Sequence, residues 1–520
     1  METMNYEYPR DEGVPDAQPS PEVTGASYPP PAPRYIFPAG RSELVFGLFS
    51  LICSLLLCNV TIFGGFQLGF GVAVCGCIIC AASYLLATGG RLTGYSATLL
   101  LLSMVIAAGF GRSDDGFVKF VMVLFLLVSV NLGLCLIAGQ NRRRPGGVGS
   151  LLDAPRSLFI LGFGQLPRAV GGLFGGLRLK GSVARAIGSI ALGLLIMIPL
   201  LGIVMPLLMD ADAAFENLMK HMPEIDMGET VTTVLLGVGL FFLLYTQAVA
   251  LRHRPQEQPV SLGSGRGISS LTVNTVLTGL CFVYLLYLIS QLAYFVSGFA
   301  GIVPQGYTMA EYARRGFFEM AWLCAINLGL IALAVGVVRK QEHRAPLSTR
   351  LLCLFIGLTT LFIVAAASAK MTTYISGYGL TRLRVMTQLI ILFFGLAALT
   401  ASVGLFVRKP RYMPVLLIGA MLIGGSAFWV DVDTLVASYN VTAYQHGRLE
   451  TVDVYYLGKL SDGAIPHIAR LTGDADREVA EQARKILDRK HVFWEDYRSW
   501  NYATWHAEAY LSDSDADETH

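Results

Sequence analysis

The chain has 520 residues, of which 54% are hydrophobic and only 15% charged, and its mean hydropathy is +0.55. That balance excludes an ordinary soluble domain and reads as a membrane protein. The formal net charge of +2 conceals an asymmetry, because a basic apolar body is followed by an acidic C-terminal stretch, and the nine cysteines all fall in apolar segments, which excludes a disulfide framework.

Residues 1–40 hold nine prolines, culminating in Tyr28-Pro29-Pro30-Pro31-Ala32-Pro33, and are expected to form a disordered or polyproline-like tail. No basic stretch runs directly into a short apolar one, so the first membrane segment is expected to act as its own insertion signal. Eleven apolar runs long enough to cross a hydrocarbon core follow: Leu44–Phe63, Phe66–Ala87, Leu92–Ala108, Phe117–Ala138, Val183–Met209, Val231–Leu251, Val273–Phe299, Phe317–Val338, Leu351–Ala369, Val385–Val407 and Met413–Val430. Backbone groups find no water in lipid, and runs of this length lack the short alternation of a barrel, so helices are expected. The predicted fold is an all-α polytopic helical membrane protein with a small C-terminal helical module.

Lysine and arginine set the expected orientation. With the N-terminus inside, the cytoplasmic side collects 22 basic residues and the outer connections 8. The connection from Asp210 to Glu229 carries six carboxylates against Lys220, which agrees with an outer location. The N-terminus is therefore expected in the cytoplasm and the C-terminus outside.

The expected division is a four-helix membrane unit at 41–140, a basic interfacial connection at 141–182, a seven-helix membrane core at 183–440, a soluble helical module at 441–511 and an acidic tail at 512–520. Within the connection, Leu151–Lys180 mixes large apolar residues with Arg156, Arg168, Arg178 and Lys180, suited to one or two helices lying at the inner interface. The module offers helices near Leu449–Lys459, Ile465–Leu471 and Asp476–Arg489. Trp494, Trp500 and Trp505 follow, suited either to packing or to carbohydrate stacking.

Three stretches hold the polar chemistry: Tyr307–Met320, Tyr374–Val385 and Trp429–Val441. They place Arg314, Arg315, Lys370, Arg382 and Arg384 on the expected outer side, against the positive-inside trend, beside Glu311, Glu319, Asp431 and Asp433. Glu311, Arg315 and Glu319 recur at helical spacing along one face. Thr381 can cap a helix on which Arg382 and Arg384 lie about 200 degrees apart, so the two cannot serve one neighbour. Two readings stay open: an internal ion-pair network, or an outward pocket in which Arg314, Arg315, Glu319, Lys370, Arg382, Arg384, Asp431 and Asp433 meet an anionic ligand.

None of the eight histidines lies inside an apolar run, which argues against intramembrane zinc or haem chemistry. Cys75, Cys77 and Cys80 lack a fourth metal ligand, and Gly263–Gly267 lacks the lysine of a phosphate-binding loop. No catalytic residue, metal site or cofactor is expected. The expected partners are membrane lipids and an anionic headgroup or envelope partner, not nucleic acid.

Glu311-Tyr-Ala-Arg-Arg-Gly-Phe-Phe-Glu319, Tyr378-Gly-Leu-Thr-Arg-Leu-Arg384, Trp429-Val-Asp-Val-Asp433 through Tyr439-Asn-Val441, and Leu460-Ser-Asp-Gly-Ala-Ile-Pro466 occur in one order. In this the chain, from Arg185 to Asn501, resembles a family of polytopic bacterial membrane proteins classified as a domain of unknown function. The resemblance implies membrane location and bacterial origin and carries over no catalytic residue. The reading that follows is a non-catalytic envelope protein, with a transporter or lipid translocase and a membrane transferase as the alternatives.

Overall fold

In the computed structural model the described residues are 40–141, 143, 146–176, 227–253, 267–299, 317–339, 344–408, 410–490 and 496–517, with scattered positions between 193 and 211. Among them the chain is all-α apart from one isolated bridge, Ile268 to Val338. The membrane part comprises α1 (Arg41–Gly64), α2 (Leu68–Ala87), α3 (Gly94–Ala108), α4 (Gly116–Ala138), α5 (Leu166–Gly176), α6 (Met227–His253), α7 (Ser270–Phe299), α8 (Phe317–Val337), α9 (Leu347–Tyr378), α10 (Arg382–Gly404) and α11 (Tyr412–Val430).

All of these but α5 are long and apolar enough to cross a membrane, ten candidate spans among the described residues. The chain is thus a multi-pass membrane protein. The expected span Val183–Met209 lies outside the described residues apart from isolated positions. Side chains such as Phe117, Trp322 and Leu383, 66%, 70% and 72% exposed, face outward where a soluble protein would bury them, as lipid contact requires.

Local chemistry sets the helix ends. Asp115 caps α4, its Oδ1 accepting from the N–H groups of Phe117 at 2.9 Å and Val118 at 3.0 Å, and Gly139 closes that helix in a left-handed conformation. Thr381 caps α10 as expected, accepting from the Arg384 N–H at 3.3 Å. The expected span Leu351–Ala369 continues without a break to Tyr378, so Lys370 belongs to the helix rather than to a connection. Apolar sequence alone understates such a helix, because its last turns are polar yet still hydrogen-bonded.

Helix α1 packs between α2 and α6, α3 packs on α4 and α11, and α9 lies against α7, α8 and α10. Gly71 of α2 permits the first of the close crossings: a Cβ there would collide with the carbonyl of Ala107 on α3. Polar pairs reinforce the packing, among them Ser103 with Ser129 at 2.7 Å and Asn327 donating to Thr360 at 3.0 Å.

The basic connection departs from a purely interfacial role. A π-helical turn, Arg156–Phe163, packs against α6, with Gln247 donating to Ser157 at 2.9 Å. Arg156 is 9% exposed and donates to the Gln140 carbonyl at 3.3 Å, so it is folded inward rather than presented to headgroups. Arg168 stays exposed, and Arg178 and Lys180 lie outside the described residues.

After α11 come α12 (Val432–Gln445), α13 (Val454–Gly458), α14 (Ile465–Ala469), α15 (Arg477–Leu487) and α16 (Tyr502–Asp517). Val436 and Val441 of α12 join Leu457, Ile465, Ile468, Leu471, Ala483 and Ala507 in one core. Each fully buried isoleucine or leucine there contributes roughly 1.5–3 kcal/mol on leaving water. Trp505 is 50% exposed on α16, Trp494 lies outside the described residues, and the Trp500 carbonyl accepts from the Leu68 N–H at 3.5 Å. That last contact belongs to the docking of this module on one end of the bundle.

Candidate functional site

The module meets the bundle where α3, α9 and α11 end and α4 and α10 begin. At the centre is Asp433, in the first turn of α12 and 0% exposed. Arg382, at the start of α10, donates from Nε and Nη2 to the two oxygens of this carboxylate. The Ser461 N–H adds a third donor at 2.7 Å. The same guanidinium reaches Asp115 Oδ2 at 3.3 Å, while the Arg382 N–H donates to the Tyr456 hydroxyl at 3.0 Å. One arginine thus ties α10 to α4 and to the module. Burial pushes the Asp433 carboxyl up, but the bonds from Arg382 and Ser461 outweigh it and hold the pKa below the ordinary 3.8.

Asp431 lies two residues away and faces a different set. It links α11 to α12 at φ 58 and ψ 100, a conformation rare for a residue with a Cβ, and is 2% exposed. Its Oδ1 accepts from Ser113 Oγ at 2.7 Å, and its Oδ2 from Thr434 Oγ, which also contacts the Gly463 carbonyl at 3.2 Å. Burial raises its pKa, and the hydrogen bonds from Thr434 and Ser113 offset this only in part. The two aspartates therefore do not converge on one point, as a shared metal would require. Among the described residues no group of three or more potential ligands is placed to hold a metal ion.

The signs of these shifts set a pH dependence. Asp433, depressed in the folded state, contributes stability that is present above 3.8 and lost as pH falls through its folded value. Asp431, raised, contributes stability present below 3.8 and lost as pH rises through its folded value. Limited proteolysis of the linker 446–453, whose buried Leu449 lies beside Gly379 at the end of α9, is expected to show module release as pH drops below about 4, the carboxylate range. Asp431→Asn is expected to remove the opposing, higher-pH component and to leave the acid release in place.

The other expected site residues separate. Arg384 donates to the carbonyl of Tyr378 at 2.9 Å and to that of Gly379, with its guanidinium 4.0 Å from the Tyr374 ring centroid; it secures the end of α9 and not the Asp433 cluster. Lys370 lies deeper: Ser368 and Thr372, flanking it, both contact Gln388, a residue about 9 Å along α10 from Arg382 at 1.5 Å per residue. Glu319 is placed in the first turn of α8, but its side chain lies outside the described residues, as do Arg314 and Arg315. Asn440, part of a glycosylation-type triplet, is spent on the α9–α10 turn, accepting from the Leu380 N–H at 2.6 Å and donating to its carbonyl at 2.8 Å.

Residues that the sequence did not single out complete the joint. Lys119, inside the apolar run of α4, reaches Gln67 at 2.7 Å and Asp114 at 3.1 Å. Arg498 pairs with Glu229 at the start of α6 at 2.8 Å, and Gly64 lies so close to the Arg498 carbonyl that a Cβ would collide with it.

Beside Asp431 opens a cavity of about 240 Å³, walled by Arg112 from the α3–α4 connection and by His467, Arg470, Tyr502 and His506 from the module. Arg112 Nε donates to the Trp429 carbonyl at 3.3 Å, and its guanidinium stacks 4.2 Å from the Tyr502 ring centroid. His506 stacks with the same Tyr502 ring, its centroid 5.7 Å away at an interplanar angle of 7°. His467 Nδ1 is buried without a hydrogen-bond partner, and burial, then the charges of Arg470 and His506, hold its pKa down.

Comparison with known proteins adds one finding. No curated protein and no solved structure matches the chain. The family model described as "Domain of unknown function (DUF4153)" matches residues 51–471. The match begins within α1, earlier than the motifs placed it, takes in Arg112, Asp115, Arg382, Asp431 and Asp433, and ends before α16. Covering more than half of the sequence, it establishes that the chain belongs to the DUF4153 family.

Proposed function

We propose that the protein is a non-catalytic integral protein of the bacterial envelope, which carries its C-terminal module on the outer face of the cytoplasmic membrane and engages an anionic lipid headgroup or envelope partner there. The observation that carries this reading is the fastening of the module by Arg382, bonded at once to Asp433 and Asp115. A joint of this kind gives up solvation of three charges to fix one arrangement of two bodies, which suits a surface held for recognition. Asp431 turning to Ser113 and Thr434 supports the same view over a metal-dependent transferase. The distribution of lysine and arginine supports the orientation.

The test uses the full chain expressed in a bacterial membrane. A membrane-impermeant thiol reagent added to intact spheroplasts is expected to label the Tyr455→Cys variant, at an exposed position of the module, and native mass spectrometry of the extracted protein is expected to retain a defined anionic lipid or partner. Labelling only after lysis contradicts the orientation. A turnover activity lost in Asp433→Asn while the module stays docked contradicts the non-catalytic reading.

A further inference from the structure

The geometry points to the cavity between Arg112 and the module as a binding site for a phosphate group, held between the guanidinium of the bundle residue Arg112 and that of the module residue Arg470, so that the ligand bridges the two bodies. This inference rests on the docked arrangement proposed above and names the ligand class of that junction. The wall residues come from separate elements: Arg112 follows α3, Arg470 follows α14, and Tyr502 and His506 lie on α16. Arg112 places one donor on the Trp429 carbonyl and Arg470 one on Gln445 Oε1, which leaves further N–H groups of both guanidinium forks for an anion, and the planar donor fork of arginine matches phosphate oxygens. The carboxylate on the wall, Asp431, has its oxygens engaged by Ser113 and Thr434.

The neutral groups fit the same ligand. His467 lines the same cavity, although its buried Nδ1 does not reach the open space. Tyr502, stacked with His506, holds the Arg112 guanidinium in place before the ligand arrives, which reduces the ordering cost of binding. At ~30 Å³ per liquid water, a space of about 240 Å³ takes a phosphate with a small organic substituent. Arg112 leaves the end of a membrane-spanning segment, Gly94–Gly111, so the site lies at the depth of lipid phosphates. A free phosphate ester presents the same chemistry.

Full-length protein in detergent, wild type beside Arg112→Lys, Arg470→Gln and the exposed-surface control Arg484→Gln, is titrated with dihexanoyl phosphatidic acid, with dihexanoylglycerol and with inorganic phosphate, and bound ligand is read by native mass spectrometry and calorimetry. Wild type and Arg484→Gln are expected to bind phosphatidic acid, and Arg470→Gln to bind it at least tenfold more weakly. Arg112→Lys keeps a cation over Tyr502 and so serves as the folded variant; it is expected to lose several-fold. Preference for phosphatidic acid over inorganic phosphate assigns the lipid as the source, and equal or tighter binding of inorganic phosphate, lost in the same variants, assigns a soluble anion; both support the site. Equal binding by all four proteins, or equal binding of dihexanoylglycerol, overturns it. Module docking is read in parallel from proteolysis of the 446–453 linker: a docked protein that binds no phosphate probe overturns this site alone, and a free module overturns the reading on which it rests.

Discussion

Arg382→Ala is expected to release the C-terminal module from the bundle. The change removes two of the three donors to Asp433, a carboxylate with 0% exposure, and the cation paired with Asp115 at 3.3 Å. Removing one partner of a buried pair costs about 3–5 kcal/mol, because the remaining charge is left without solvent or partner. Arg382 is itself 39% exposed, so water can reach the vacated position, and a loss of about 3 kcal/mol is expected. Thermal unfolding followed by linker proteolysis checks it. Arg382→Lys keeps the charge and loses the two-pronged contact, and a smaller loss of about 1.5 kcal/mol is expected. Combining Arg382→Ala with Asp433→Asn is expected to cost less than the sum of the two, since the second change removes the stranded charge.

Gly463→Ala is expected to act at the same joint through volume rather than charge. A Cβ at this position would fall well inside van der Waals contact of Asp431 Oδ2 and Thr434 Oγ, two atoms already bonded to each other. Neither can swing away freely: Ser113 holds the far side of the carboxylate at 2.7 Å, and Thr434 lies in the first turn of α12. Overpacking of this kind costs about 1–3 kcal/mol. The expected result is a lower unfolding midpoint with faster cleavage of the 446–453 linker, and little change for Gly473→Ala, at an exposed position where a Cβ meets nothing within 4 Å.

How much of this was legible in the sequence follows from the physics of each element. The spans were, because twenty apolar residues have few alternatives in lipid and α1 to α4 and α6 to α11 follow the runs closely. Arg382 and Asp433 were legible as charges out of place at helix ends, and the structure brings those two together. Their joint partner Asp115 was not, since it comes from a connection over 260 residues away from Arg382 and hydropathy does not say which helices are neighbours. The useful signal was at hand in Arg112 and Lys119, basic residues on the expected outer side that also break the charge trend. The cavity was illegible for the same reason: its walls come from the α3–α4 connection, α14 and α16, and only the tertiary fold gathers them. Arg384 shows the converse, a charge equally conspicuous in sequence that the structure spends on the carbonyls closing α9.

The central claim is that Asp431 and Asp433 are parts of a joint and not of a catalytic pair, and the same substitution at each tests it most directly. Asp433→Asn discards half of an ion pair, whereas Asp431→Asn removes a carboxylate whose ionisation burial already disfavours. Asparagine also tolerates positive φ and keeps an oxygen for Ser113. Unfolding midpoint and linker proteolysis at neutral pH are therefore expected to show Asp431→Asn within about 1 kcal/mol of wild type, or above it, and Asp433→Asn lower by about 3 kcal/mol with the module released. Equal behaviour of the two variants, with the module docked and stability unchanged in both, would contradict the account.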